Sequence, residues 1–111
     1  MEQKVEMEKE AFFCAIEGEL TAALVGELRE AILPMVAWAE EISIDLSAVS
    51  RIDHAGVLLM LELKLEADAR GATLQFRGYN RPVLEMLVSC NMGRFLGVPA
   101  LPDVLFHQAR P

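Results

Sequence analysis

The sequence predicts an α/β protein of one domain, and three observations support that class. The chain has 111 residues, which is the length of a single domain. Hydrophobic residues make up 53% of it, which is enough to form a core. Short apolar runs typical of strands alternate with segments rich in helix-forming residues, and this alternation is the pattern of α/β architectures. No linker or internal repeat divides residues 1–111, so we expect one domain.

The N-terminal part predicts a β-hairpin. Residues 4–8 alternate polar and apolar side chains, and residues 11–16 form a short apolar run. Lys9 and Glu10 lie between the two segments, at the expected tip of the hairpin. Residues 18–20 then lead into the first helix.

The first helix is predicted over residues 21–37. Thr21 is a suitable N-cap residue. Four apolar residues follow at helical spacing: Leu24, Leu28, Ala31 and Ile32. Pro34 conflicts with a regular helix, because proline removes one backbone hydrogen bond and clashes with the preceding turn. The helix therefore either kinks at Pro34 or ends near Leu33.

A second helix is predicted after the apolar strand at residues 42–46. Residues 61–70 alternate apolar and polar side chains, which is the period of a strand. Their residue types are nevertheless strong helix formers, and Gly71 is placed to end a helix. On a helix this alternation produces two apolar stripes, of which one faces the sheet and the other contacts a neighbouring helix or a partner. The stripes are Leu58, Leu61, Leu65 and Ala69, and Leu59, Met60, Leu63 and Ala67.

The C-terminal part predicts a further strand and helix. Residues 73–77 have strand character, and Asn80 is a candidate N-cap for a helix that ends near Cys90. Pro82 would lie in the first turn, where proline is tolerated. A last short strand and a helical turn at residues 103–108 are expected in the tail.

The composition excludes several classes of function. A net charge of −7 disfavours nucleic acid and anionic membranes as partners. No apolar run approaches the roughly 20 residues that a membrane-spanning helix needs. The acidic N-terminus lacks the apolar region of a signal peptide, so we expect a cytoplasmic protein.

The residues that could carry chemistry form no recognisable catalytic or metal-binding pattern. Cys14 and Cys90 are too few for a disulfide framework, and we expect reduced, packed thiols. They show no metal-ligand spacing with His54 or His107. The sequence also contains no phosphate-binding loop and no nucleophile with an evident base. We therefore expect no enzyme activity, no metal and no cofactor.

Residues 53–56, Asp-His-Ala-Gly, are the most informative part of the sequence. They follow a strand and a polar segment and precede a helix N-terminus, where the first backbone N–H groups are unpaired and favour negative charge. Asp53 is a candidate N-cap, and His54 is expected to be an exposed loop residue. Ser47 and Ser50 are expected in the same loop, where each offers a hydroxyl group.

This region resembles the signature of the STAS domain, the fold of bacterial anti-sigma factor antagonists. In that signature, a strand ending in Asp-Leu-Ser precedes an aliphatic-Asp-Ser-Ser-Gly loop and a leucine-rich helix. The matching positions are Gly18-Glu19-Leu20, Asp45-Leu46-Ser47, Ile52-Asp53 and Gly56-Val57-Leu58-Leu59, with Gly71 and Gly78 at the expected spacing. The resemblance covers nearly the whole chain. It implies a STAS-type domain with a mixed sheet of about four to five strands and helices packed mainly on one side.

The resemblance implies a non-catalytic interaction module that binds an anti-sigma factor, often a kinase, and so releases a sigma factor. Docking would use the loop at residues 53–56 and the helix at residues 56–70. The serine that is phosphorylated in the family corresponds to Ala55, which has no hydroxyl group, so the usual phosphorylation switch should be absent. The candidate partner-binding residues are Asp53, His54, Ala55, Gly56, Leu59, Met60 and Leu63.

A second resemblance implies a different partner. An Asp-Xaa-Ala-Gly motif is similar to the cytoplasmic STAS subunit of bacterial lipid-transport ABC complexes, whose motif reads Asp-Thr-Ala-Gly. Such a subunit binds the ATPase and supports assembly of the transporter. Ala55 favours this alternative, whereas His54 departs from it. A sensory module for a small ligand, a subunit of a stress-signalling complex and a homodimer all stay open.

Overall fold

The computed structural model describes residues 10–92, which form five strands and three helices. In chain order, the elements are β1 (Ala11–Ala15), β2 (Gly18–Leu20), α1 (Val25–Val36), β3 (Glu41–Asp45), β4 (Val49–Ile52), α2 (His54–Arg70), β5 (Thr73–Arg77) and α3 (Arg81–Cys90). The predicted α/β class is confirmed. The strand at residues 4–8, the hairpin tip at Lys9 and the elements expected after residue 94 lie outside the described residues.

The strands form two parallel sheets. In the first, β3 lies between β1 and β5, so that Cys14, Ile44 and Phe76 stand side by side. In the second, the short strand β2 pairs with β4. All the pairs in residues 10–92 are parallel, so the antiparallel strand that a mixed sheet requires is not among them.

The core lies on one face of the sheet. Along β3 and β5 the buried residues alternate with partly or fully exposed ones, because successive side chains of a strand point to opposite faces. The helices cover the buried face, as expected. The largest fully buried side chains are Leu20, Val36, Ile42, Ile44, Leu46, Met60, Leu63, Val83 and Leu87. Burial of each contributes roughly 1.5–3 kcal/mol relative to an exposed side chain.

The start of α1 differs from the prediction. Its N-cap is Leu24, which makes no side-chain capping hydrogen bond, so the expected N-cap role of Thr21 is wrong. The Thr21 hydroxyl instead donates to the Glu19 carboxylate (3.2 Å), and the Thr21 carbonyl accepts the N–H groups of Leu24 and Val25 in a preceding turn. The beginning of α1 is therefore held by contacts outside the helix.

The end of α1 is held by α2. The helix continues through Pro34 to Val36 rather than ending near Leu33. The Arg70 guanidinium, at the end of α2, donates to the carbonyl oxygens of Val36 (2.7 Å) and Ala39. Because the carboxyl end of a helix carries unpaired carbonyls and partial negative charge, this arginine stabilises α1 and fixes the two helices side by side.

The caps of α2 and α3 agree with the sequence analysis. Asp53 caps α2, and Gly71 ends it with φ = 77°. The Asn80 side chain accepts the N–H of Val83 (3.1 Å) at the start of α3, and its amide nitrogen donates to the Val49 carbonyl (2.8 Å). Asn80 thus joins α3 to β4.

The two short strands β2 and β4 were not predicted. Residues 18–20 were expected only to lead into a helix, and Ser50, expected in a loop, lies on β4. Across residues 10–92, every helix is too short or too polar to span a bilayer.

Candidate protein-docking site

The candidate site lies where β2 and β4 end side by side. The two strands are parallel, and Leu20 is the register partner of Ile52 at their carboxyl ends. The turn before α1 therefore lies next to the N-terminus of α2. The carboxyl ends of parallel strands are the usual location of binding sites in α/β sheets.

Asp53 joins these two segments with one carboxylate. One carboxylate oxygen accepts the N–H of Gly56 (3.1 Å) and caps α2, as predicted. The other oxygen accepts the N–H of Ala22 (3.0 Å) in the turn before α1, a contact that was not predicted. Asp53 is therefore a structural clamp between the starts of two helices.

These hydrogen bonds lower the pKa of the Asp53 carboxyl. The N–H of Ala22 makes the largest contribution and holds the pKa of the Asp53 carboxyl below its usual value. Desolvation opposes this shift, while the N–H groups of Gly56 and Ala55 and the charge of His54 add to it. The clamp is therefore ionised at neutral pH.

The lowered pKa of Asp53 predicts a pH dependence of stability. Ionised Asp53 stabilises the fold at pH values above its unfolded pKa, which is about 3.9, and that contribution is lost as the pH falls through the lower folded pKa. We expect the Asp53→Asn variant to unfold at lower urea concentration than the wild type at pH 7. The difference in urea midpoint should shrink as the pH is lowered below about 4. A difference that stays constant with pH would show that the charge of Asp53 is not responsible.

Gly56 is a packing residue in this site. It is buried, and an added Cβ atom would overlap the carbonyl oxygen of Leu20 and lie 2.8 Å from the Leu20 Cγ. Only glycine lets the first turn of α2 approach the end of β2 so closely. The surface at this edge comes instead from exposed His54, half-buried Ala55 and exposed Ala22.

Besides Gly56, three further predicted partner-binding residues are buried. Leu59, Met60 and Leu63 are exposed by only 3%, 1% and 1%, so their expected place on a docking surface is corrected. The other apolar stripe of α2 lies at the surface, where Leu58 is 63% and Leu65 is 49% exposed. The physical reason is the rotation of α2, which packs the stripe of Leu59, Met60 and Leu63 into the core between the sheet and the neighbouring helices.

A signal for this rotation was present in the sequence. The glycine at the start of α2 must face the end of β2, and Gly56, Met60, Leu63 and Ala67 follow one another at spacings of four, three and four residues. Residues at such spacings lie on one side of a helix. The need for glycine at residue 56 therefore identifies the buried stripe.

The exposed stripe begins at the N-terminus of α2, next to Asp53. His54, Leu58, Leu61 and Leu65 follow one another at spacings of four, three and four residues, and we call these four residues the docking stripe. His54 is exposed, as expected, but it is the first residue of α2 rather than a loop residue, and Leu61 is half-buried. The docking stripe thus runs from the loop edge along the outer side of α2.

The Asp-Leu-Ser motif has a structural role. A carboxylate oxygen of Asp45 accepts the N–H of Ser47 (3.0 Å) and so holds the turn between β3 and β4. Gly78, with φ = 70°, packs against Asp45 and Ser47 so closely that any side chain would collide with them. Ser47 and Ser50 are both exposed, in the turn and on β4.

The described part of the chain offers no evident metal centre. Within residues 10–92, no three His, Cys, Asp or Glu side chains are grouped to bind an ion. Cys14 and Cys90 are free and half-buried, and burial raises the pKa of the Cys14 thiol. Cys14 is therefore protonated at neutral pH and is a poor nucleophile.

The architecture and this loop-to-helix edge define a class of protein-interaction module. Residues 4–101 match the family model described as "Mlab, STAS domain". The chain therefore belongs to the STAS-domain family.

Solved structures support the same fold. A sulfate transporter family protein from Wolinella succinogenes is 17% identical and has a TM-score of 0.66, with 78% of this chain and 71% of that chain covered. The STAS domain of a SulP transporter from Vibrio cholerae is 18% identical and has a TM-score of 0.65, with 95% and 88% covered. At these identities the likeness shows the fold alone. No curated protein sequence matches this chain significantly.

Proposed function

We propose that this protein is a non-catalytic docking module that binds the ATPase subunit of a bacterial transport complex through the docking stripe and Ala55. The observation that carries the proposal is the exposed row of leucines that starts at the loop edge. Leu58 and Leu65 are large apolar side chains at the surface, in line with His54. An exposed apolar patch of this kind, bordered by polar residues, is typical of protein-interaction sites.

Two observations favour an ATPase of a lipid-transport ABC complex as the partner. The Asp-Xaa-Ala-Gly motif at residues 53–56 is similar to that of the STAS subunit of such complexes, and the matching family model carries the description Mlab. Ala55 has no hydroxyl group, which suits a subunit that binds permanently. The protein would act on the cytoplasmic side of the membrane.

An anti-sigma factor is the second candidate partner. The Asp45-Leu46-Ser47 motif and Asp53 also match the anti-sigma factor antagonists. With Ala55 at the phosphorylated position, binding in that case would be constitutive or regulated elsewhere.

Affinity capture from the native cytoplasm, followed by mass spectrometry, tests this proposal. We expect an ABC ATPase to be recovered with the wild type and lost with the Leu58→Lys variant. Phe13→Lys is a matched control, because Phe13 is 65% exposed on a strand outside the docking stripe and takes the same change in charge. Recovery of an anti-sigma factor with the same dependence on Leu58 would move the assignment to the second candidate. If the Leu58→Lys variant binds as well as the wild type, the docking stripe is not the binding surface.

Ala55 gives a prediction about phosphorylation. Incubation with an anti-sigma-factor serine kinase and ATP should leave the mass of this protein unchanged, because residue 55 offers no hydroxyl group. The Ala55→Ser variant restores the hydroxyl and is expected to gain one phosphate if the kinase recognises the loop. Intact-mass spectrometry distinguishes the two results. A phosphate on Ser47, Ser50 or His54 of the wild type would contradict the expectation.

A further inference from the structure

We propose that the docking stripe receives an amphipathic helix of the partner protein, and that the basic residues of this helix lie on the side of the stripe that faces α1. This inference rests on the docking face proposed above and specifies the chemistry of its partner.

The shape of the docking stripe fits a helix. Leu58, Leu61 and Leu65 are three and four residues apart, which is the spacing of the a and d positions of a coiled-coil seam. They form a row about 10 Å long, at 1.5 Å per residue of helix. The hollow that they line with Glu62 and Glu66 is shallow and open, whereas small-molecule sites enclose most of their ligand.

The side of the stripe that faces α1 is acidic. Glu62 forms an ion pair across the two helices with Arg29 (2.9 Å). Glu66 lines both the hollow of the stripe and a second hollow against α1, to which Glu30 also contributes. Within residues 10–92, neither Glu30 nor Glu66 has an ion pair. Three carboxylates, those of Glu30, Glu62 and Glu66, face two guanidinium groups, those of Arg29 and Arg70, so this side keeps a net negative charge.

The opposite side of the stripe is electrically balanced. There Lys64 and Asp68, one turn apart on α2, form an ion pair (3.6 Å). Because the two sides of the docking stripe differ in charge, a bound helix has one preferred orientation about its long axis. A partner helix that fills the leucine seam is stabilised when its basic residues lie towards α1, because complementary charges fix register and partner choice.

A second copy of this chain does not fit the stripe. Each copy carries a net charge of −7, and antiparallel two-fold pairing along α2 would bring the acidic sides of both copies together. Like charges across an interface disfavour association. A basic helix of another protein meets attraction instead of this repulsion.

A pair of synthetic peptides tests the inference on the full 111-residue chain. Both are 21-residue amphipathic helices with leucine at the a and d positions, and they differ only in having lysine or glutamate at the flanking positions. Fluorescence anisotropy at low salt should show that the lysine peptide binds about 10-fold or more tightly than the glutamate peptide, and that added salt weakens its binding. Leu58→Lys should abolish binding of the lysine peptide, whereas Phe13→Lys should not.

Charge reversal locates the acidic side. The double variant Glu30→Lys and Glu66→Lys should lose the preference for the lysine peptide. A control with the same change in net charge, Glu17→Lys and Glu40→Lys, lies on loops outside the two helices and should keep it. Equal binding of both peptides, binding of neither, or a wild-type homodimer that Leu58→Lys dissociates would each overturn the inference.

The peptide assay and the capture experiment test the two proposals separately, so that either proposal can be rejected without the other. Peptide discrimination without recovery of an ATPase would retain the basic-helix chemistry and reject the proposed partner. Leu58-dependent recovery of an ATPase without peptide discrimination would retain the proposed function and reject the basic helix.

Discussion

Replacing Gly56 by alanine is expected to destabilise the fold severely. The new Cβ atom would overlap the Leu20 carbonyl oxygen and approach the Ile52 Cγ1 to 3.0 Å. A backbone carbonyl paired in a sheet cannot move aside as a flexible side chain can, so the first turn of α2 must separate from β2. We expect a loss of at least about 3 kcal/mol in the free energy of unfolding, against a total of roughly 5–15 kcal/mol for a domain.

Gly26 supplies the control for this prediction. It also lies in the first turn of a helix, but it is exposed and an added Cβ atom meets nothing within 4 Å. Gly26→Ala should therefore stabilise the protein by about 0.5–1 kcal/mol through helix propensity. Urea unfolding followed by circular dichroism measures both variants. A Gly56→Ala variant as stable as Gly26→Ala would show that the end of β2 does not pack against α2 as described.

The local chemistry of caps was predictable from the sequence. Asp53, Gly71 and Asn80 were all identified in their correct roles, because a cap depends on a side chain or backbone angle within three residues of it. Thr21 has an equally suitable side chain, but it does not cap α1. Its hydroxyl is engaged by Glu19, a neighbour on a strand that had not been predicted.

The pairing of β2 with β4 could not be predicted in the same way. The two strands contain only three and four residues, too few to show a periodic pattern, and about 30 residues separate them along the chain. Their pairing is nevertheless what brings Ala22 to the carboxylate of Asp53. The motif at residues 53–56 was visible in the sequence, but its second hydrogen-bonded partner depended on this long-range contact.

The rotation of α2 decides which residues can dock a partner, and the alternating pattern left it open. By that pattern alone, without the position of Gly56, either apolar stripe could have faced the sheet. The structure turns one stripe inward and leaves Leu58 and Leu65 at the surface. The same substitution on the two stripes should therefore give opposite results.

Leu63→Lys is expected to abolish cooperative folding. Leu63 is 1% exposed in the core, where removal of a leucine side chain alone costs about 2–5 kcal/mol and a buried unpaired charge adds to that loss. Circular dichroism and urea unfolding should show no native transition, or one at a much lower urea concentration. A stable, folded Leu63→Lys variant would mean that this stripe is the surface after all.

Leu58→Lys should keep the fold and lose the partner. Leu58 is 63% exposed and lysine is a good helix former, so the free energy of unfolding should change by no more than about 0.5 kcal/mol. Binding should nevertheless fall, because the substitution removes an apolar contact from the centre of the docking stripe and adds a charge that repels a basic partner helix. A Leu58→Lys variant that is folded but does not bind would show that Leu58 contributes to binding and not to stability. A substitution of a core residue such as Leu63 cannot show this, because it also unfolds the protein. Loss of folding in Leu58→Lys would instead place this residue in the core and leave α2 without a docking surface.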